Sequence, residues 1–296
     1  MTTYRPARRA SLVARLKLPA ALSTLSQAAA WLDEHGCVPV VEHESARAAG
    51  LETRYATTAR ETLADDVDVV LVFGGDGTLL DVATAVMHSD GDAPLMGVNL
   101  GRLGFLTEVG KADMQSALDL LVTGRSHIET RAMLEGRVRR GEQTVDTRLA
   151  LNDIVVTRSA LSRMTEMTVQ VDGAFVCDVK ADGLIVATAT GSTAYNLSAG
   201  GPIVHPTVDA FVITPIAPHT LTQRPIVLPA TAAIVITPII EPQSEVIATF
   251  DGQYGVPLAA GDVVEIRRAP RLLRLVHTST RTHFDMLREK LKWGNG

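Results

Sequence analysis

The sequence predicts an α/β domain followed by an all-β domain. Three observations carry that expectation. Residues 1–126 alternate strand-like and helix-like segments, which implies a parallel sheet with helices on its faces. From 127 to 270 strand-like pieces follow one another with hardly a helix, punctuated by Pro215, Pro218, Pro225, Pro229, Pro238 and Pro242. The 296 residues also exceed what one hydrophobic core usually serves, so two domains are expected.

In order, "SLVARL" (11–16) reads as a first strand. Residues 19–36 place Leu22, Leu25, Ala29 and Leu32 at helical spacing, with Gly36 as the stop. "VPVVE" is a short strand. "VDVVLVF" (67–73) is a continuous run of strand formers, as in a parallel strand buried on both faces. "TLLDVATAVMH" sets Leu79, Leu80, Ala83, Val86 and Met87 on one helical face. "PLMGVNL" is a further strand, followed by the glycine-bearing "GRLGFL". Residues 113–124 form a helix with Asp113 as N-cap. Beyond 127, Asp172-Gly173 between alternating runs signals a hairpin. "AAIVITPII" (232–240) is apolar enough for burial on both faces. "LLRLVH" (272–277) and the amphipathic "FDMLREKLKWG" (284–294) return to the first domain.

Apolar residues make up 46% of the chain, enough for sizeable cores. With 28 Lys and Arg against 33 Asp and Glu, the formal charge is −5, and nothing argues for nucleic acid or an anionic membrane as partner. "RPARR" (5–9) reads as a solvated tail. Cys37 and Cys177 lie far apart, without zinc or disulfide spacing, which suits a reducing cytoplasm. The eight His show no metal-ligand spacing. Arg15 and Lys17 interrupt the apolar start, so no signal peptide is expected, and no run of 18 apolar residues is present.

The chemistry begins at "FGGDGTLL" (73–80). After a buried strand, Gly74 and Gly75 permit a tight turn and bring backbone N–H groups close to a ligand. Thr78 and the following helix N-terminus favour anions. Neither GxxxxGK[ST] nor GxGxxG is present here. Asp76 would repel phosphate, so it fits a partner for a hydroxyl beside the phosphates. A phosphoryl acceptor loses its proton as the new P–O bond forms, and a carboxylate in reach can orient it and take that proton. Mg²⁺ carried by the donor nucleotide would offset the local charge. The alternative is a turn aspartate capping the next helix.

A second stretch, "DGLIVATATGSTAYNLSAGGPIVHP" (182–206), offers hydroxyls at Thr188, Thr190, Ser192, Thr193, Tyr195 and Ser198 among Gly191, Gly200 and Gly201. Small residues and hydroxyl donors suit a dinucleotide, and Tyr195 offers a face for a base. A Ser/Thr-rich surface loop is the other reading. In "LNDIVV" (151–156), Asn152 and Asp153 could read an adenine edge and ribose hydroxyls, or form a turn.

Together these segments resemble the bacterial NAD kinases. The matching pieces are "GGDGT" (74–78), "GVNLGRLGFL" (97–106), "LND" (151–153), "ADGLIVATATGSTAYNLSAGGPIVHP" (181–206), "TPIAPHTLTQRPIVLP" (214–229) and "FDGQ" (250–253). The resemblance implies transfer of the γ-phosphoryl of ATP to the 2′-hydroxyl of the adenosine ribose of NAD, with Mg²⁺, in a homodimer or homotetramer. It implies a Rossmann-like N-terminal domain and a β-sandwich C-terminal domain. By the same resemblance Asp76 is the proton acceptor and Gly77 its neighbour in the nucleotide contact. Asn152 and Asp153 sit on the adenosine, and Asp182 on a ribose or the nicotinamide. Thr193, Ala194, Tyr195, Asn196 and Ser198 hold the dinucleotide. Gln253, Arg163 and Lys180 are further polar contacts.

The chain departs from the family's pattern at three places. Ala189 stands where "TPTGS" has proline, which loosens the loop entry. Asp153 replaces the commoner Glu. Asp81 stands where a basic residue is frequent. A lipid or sugar kinase of the wider GGDGT group would need a greasy acceptor pocket, against which the polar 190–201 loop argues. A catalytically silent dinucleotide sensor would most simply have lost Asp76.

Overall fold

A computed structural model describes residues 2–101, 104–158, 164–220, 222–242, 244–278 and 281–294. It divides into two compact units, Met1–Thr130 with Leu273–Gly296, and Arg131–Leu272.

The first unit is built on a nine-stranded sheet. Its central strand, Val69–Phe73, is buried at all five positions. Strand Arg9–Ala14 pairs parallel with it on one side, and Leu95–Asn99 on the other. Val38–Glu42 and then Ala56–Thr58 continue the sheet outward from Arg9–Ala14. The chain therefore builds outward first, then crosses back, so strand order reverses between Arg9–Ala14 and Val69–Phe73. The returning Leu273–His277 pairs parallel with Leu95–Asn99. Helix Pro19–Glu34 opens with Pro at its start and buries Ala21, Leu25, Ala28, Ala29 and Leu32 against this sheet. The last helix, His283–Leu291, starts with a reciprocal capping box between Thr282 and Asp285.

Several expectations meet corrections here. Residues 5–9 are no solvated tail: Asp68 accepts the backbone N–H of Arg8 and Arg9 and pairs with Arg5, while Ala7 is buried. Asp113 does not cap its helix with its side chain. The chain enters Met114–Val122 through a 3₁₀ turn, so Asp113 already has helical dihedrals and lacks the extended backbone of an N-cap. A helix absent from the sequence reading, His43–Ala49, is held by Glu42, whose carboxylate accepts from the N–H and hydroxyl of Ser45.

The second unit is two six-stranded antiparallel sheets sharing one core. Leu134, Val138, Ile236, Val264 and Ile266 of one sheet meet Ile154, Val156, Val186, Phe211 and Phe250 of the other. Asp172 and Gly173 both take positive φ (50° and 78°), the I′-type geometry that closes a two-residue hairpin. The Ile234–Ile239 strand is buried on one face alone: Ile236 lies in the core, while Val235 and Thr237 are half-buried and Ile239 is 55% exposed. Strict alternation thus replaces the two-sided burial expected from its apolar composition.

Candidate active site

The switch in strand order creates one candidate site, in the first unit. In open α/β sheets ligands bind beyond the carboxyl ends of the strands, where strand order reverses. A cleft of about 790 Å³ lies there, lined by Ala14, Arg15 and Lys17 at the end of one strand and by Gly75, Gly77 and Thr78 after the other. Arg60 and Asp81 close one wall and are ion-paired to each other. Position 81, acidic in this chain, thus holds a cation at the cleft instead of being one. The glycine turn feeds directly into helix Asp76–His88, whose N-terminus opens on the same cleft. The helix dipole makes such an end attractive to anions.

Asp76 is the first residue of that helix, but its carboxylate does not cap it. It reaches across to the segment 105–107. Oδ1 accepts from the N–H of Leu106 (3.3 Å), the N–H of Thr107 (3.0 Å) and the hydroxyl of Thr107 (2.8 Å), and Oδ2 accepts from the N–H of Phe105 (2.8 Å). A side chain at position 104 would put Cβ 1.8 Å from Oδ1, so glycine is required for the carboxylate to nestle there. The "GFL" of the sequence is thus the seat of the aspartate of "GGDGT". This non-local arrangement displaces the helix-cap alternative.

The β unit carries its own group of candidate residues. Residues 189–201 are not an open loop. A 3₁₀ turn, Thr190–Thr193, is followed by one helical turn, Tyr195–Ser198. Ala189 keeps a backbone that the usual proline could also adopt. Its φ of −57° also suits proline, and its carbonyl accepts the hydroxyl of Ser192 at 2.7 Å. Asn196 is buried, donating to the carbonyls of Ser192 and Pro202 and accepting from Thr214. Its amide braces the loop from within. Thr193 and Ala194 are half-buried, Ser198 is exposed, and Tyr195 is 47% exposed with its ring available for stacking.

The Asn152-Asp153 turn is knitted to this loop. The carbonyl of Asn152 accepts from Thr188 N–H, and the hydroxyl of Thr188 donates to the Leu151 carbonyl. A Cβ on Gly191 would lie 2.0 Å from the Asn152 oxygen, so glycine allows the two turns to touch. Asp251, from the "FDGQ" segment, accepts three successive backbone N–H groups of Leu151, Asn152 and Asp153 at 2.7–3.0 Å. Asp153 is only 5% exposed. Burial, and then the neighbouring Asp251 carboxylate, push its pKa up to about 7. Burial also raises Asp251, against the pull of the three N–H groups.

Among the remaining expected residues, Asp182 is ion-paired with Arg158 (2.8 Å). Lys180 is exposed at the end of the Ala174–Ala181 strand, and its carbonyl accepts from His219 N–H. Gln253 is exposed in the turn that begins at Asp251. Arg163 lies outside the described residues. The structure adds Asp251, Asn99 and Thr107, which the sequence reading left without roles. The one available signal was their position inside quoted motifs or beside them.

A turn built to approach phosphate, carrying a carboxylate that its neighbours hold in place, is the equipment of a phosphotransferase. Comparison with known proteins narrows that class. The family model described as the ATP-NAD kinase N-terminal domain matches residues 11–126, and that of the ATP-NAD kinase C-terminal domain matches 151–278. The chain is 41% identical over 284 residues to the NAD kinase of Geotalea daltonii, covering 96% of this chain and 98% of that one. It is 42% identical over 288 residues to that of Cupriavidus pinatubonensis, covering 97% and 93%. Among solved structures it is similar to yeast NADH kinase complexed with NADH (TM-score 0.86, 25% identity, 99% and 89% coverage). It is also similar to an Archaeoglobus fulgidus NAD kinase in complex with ATP (TM-score 0.73, 25% identity, 96% and 98% coverage). The chain belongs to the ATP-NAD kinase family.

Proposed function

We propose that the protein transfers the γ-phosphoryl of ATP to the 2′-hydroxyl of the adenosine ribose of NAD, yielding NADP. The observation that carries the reading is Asp76, a carboxylate held by four hydrogen bonds on the first residue of the helix whose N-terminus opens on the switch-point cleft. The donor's phosphates occupy that cleft, against the helix N-terminus and within reach of Arg15, Lys17 and Arg60. The β unit holds the dinucleotide. Tyr195 stacks a base, Asn152 and Asp153 meet the adenosine, and Thr193, Ala194, Ser198, Lys180, Asp182, Arg163 and Gln253 supply further contacts. Asn196 shapes the loop, and Gly77 adjoins the phosphates. As the acceptor oxygen attacks the γ-phosphorus, its proton passes to Asp76 and the bond to ADP breaks.

Among the described residues no three ligating side chains converge on a point. Mg²⁺ would arrive on the nucleotide, an ion that takes much of its shell from phosphate and water. Its contribution is to neutralise phosphate charge. Two free thiols, Cys37 and Cys177, support a cytoplasmic setting. Phe175 and Ile239, 62% and 55% exposed on strands of one sheet, support a homodimer or homotetramer formed through the β unit.

Incubation with ATP, Mg²⁺ and NAD, read by an NADP-specific dehydrogenase, tests the reading. NADP formation supports it. Phosphorylation of a lipid or sugar in its place would overturn it.

A further inference from the structure

The carboxylate of Asp76 is held asymmetrically, and the asymmetry has a source. Oδ1 receives three donors and Oδ2 one. Three donors saturate Oδ1, whereas Oδ2 keeps an unfilled lone pair. Thr107, fully buried, supplies the only side-chain donor among the four.

A hydroxyl could rotate its proton elsewhere, but two further bonds fix this one. Asn99 Nδ2 donates to Thr107 Oγ1 at 2.7 Å, so that oxygen is an acceptor from Asn99. Asn99 Oδ1 in turn accepts the N–H of Gly101 at 2.8 Å, which settles which end of the amide faces Thr107. The polarity of the chain is therefore unambiguous: Asn99 donates to Thr107, and Thr107 donates to Asp76 Oδ1. Asn99 and Thr107 are both buried, where such bonds are strong and costly to lose.

We infer that Thr107, oriented by Asn99, is a positioning residue that ties up Oδ1 of Asp76 and leaves Oδ2 as the atom that takes the acceptor's proton. The inference rests on the reading of Asp76 as proton acceptor. In the step it serves, the acceptor O–H breaks and its proton goes to Oδ2. The oxygen's electron pair forms the P–O bond, and the γ-phosphoryl bond to ADP breaks with its electrons. Thr107 keeps its own proton throughout.

Thr107→Val replaces the hydroxyl by a methyl of the same shape and retains the backbone N–H bond. Loss of one hydrogen bond to a charged group corresponds to about 10- to 100-fold. We expect kcat for NADP formation to fall by that factor while KM for NAD and for ATP each change by less than about threefold. Thr107→Ser should recover most of the loss, because it restores the donor. Asn99→Asp offers an independent reading should valine prevent folding. A carboxylate there can only accept, so it draws the Thr107 proton away from Asp76, and kcat should fall although Thr107 is present. A folded Thr107→Val or Asn99→Asp enzyme with wild-type kcat would overturn the inference, as would a rise in KM alone. Failure of the underlying reading looks different: the unmodified protein itself would then make no NADP.

Discussion

Replacing Asp153 by Asn should flatten the pH dependence of stability in the β unit. Asp153 is 5% exposed and sits beside Asp251. Its pKa is about 7 in the folded chain against 3.8 for the free side chain. The folded state therefore holds the proton over a range where the unfolded chain has released it, so stability falls as pH rises from about 4 to about 7. The full stabilisation is present below the unfolded value and is lost by the folded value. With 1.36 kcal/mol per unit, the penalty is about 4 kcal/mol once both states are ionised, and roughly 3 kcal/mol of it accrues between pH 5 and pH 8. The substituted amide is neutral throughout, so this term disappears. The assay is hydrogen exchange on peptides from 131–272, at pH 5 and pH 8, corrected for intrinsic exchange rates. Titrating groups remote from Asp153 cancel in the difference between wild type and variant. The variant should gain on the wild type by roughly 3 kcal/mol across that interval. Parallel pH trends would refute the reasoning and imply that Asp153 is ionised without penalty.

Asp76→Asn should lower kcat by on the order of 10²-fold or more, because the amide cannot take a proton. Its NH₂ must also face a backbone donor at Phe105 or Thr107, so thermal denaturation should show a loss of about 1–3 kcal/mol. Near-normal turnover would leave Asp76 a purely structural residue. Tyr195→Ala should raise KM for NAD more than it lowers kcat, since stacking is lost equally from ground and transition states. Steady-state kinetics showing the reverse would place the ring at the reacting centre. Light scattering should find a dimer or tetramer, and an active species at 31.6 kDa would contradict the proposed association.

What the sequence made legible was local. A continuous apolar run followed by glycines marked Val69–Phe73 and its turn, because a buried parallel strand needs no polar face. Asp172-Gly173 marked a hairpin because few other pairs accept two positive φ values. What escaped was settled by distant partners. Asp251 organises a turn 98 to 100 residues away, and nothing in "FDGQ" names that target. Thr107 and Gly104 acquire meaning only once the sheet brings 105–107 to Asp76, 29 to 31 residues earlier. Helix His43–Ala49 escaped because it is one short element capped by glutamate, an uncommon choice for that position. In the 189–201 loop, residue types suggested binding, but only the structure separated the inward brace, Asn196, from the outward ring of Tyr195.

This chain moves the γ-phosphoryl of ATP onto one particular hydroxyl of NAD. That transfer is tested most directly with ATP labelled at the γ-phosphorus, NAD and Mg²⁺, followed by isolation of the labelled dinucleotide and periodate oxidation. The label should reside on the adenosine half, whose ribose has lost its free diol and resists cleavage, while the nicotinamide ribose is still cleaved. Label on the nicotinamide ribose, or a dinucleotide that stays unlabelled while ATP is consumed, would contradict that assignment.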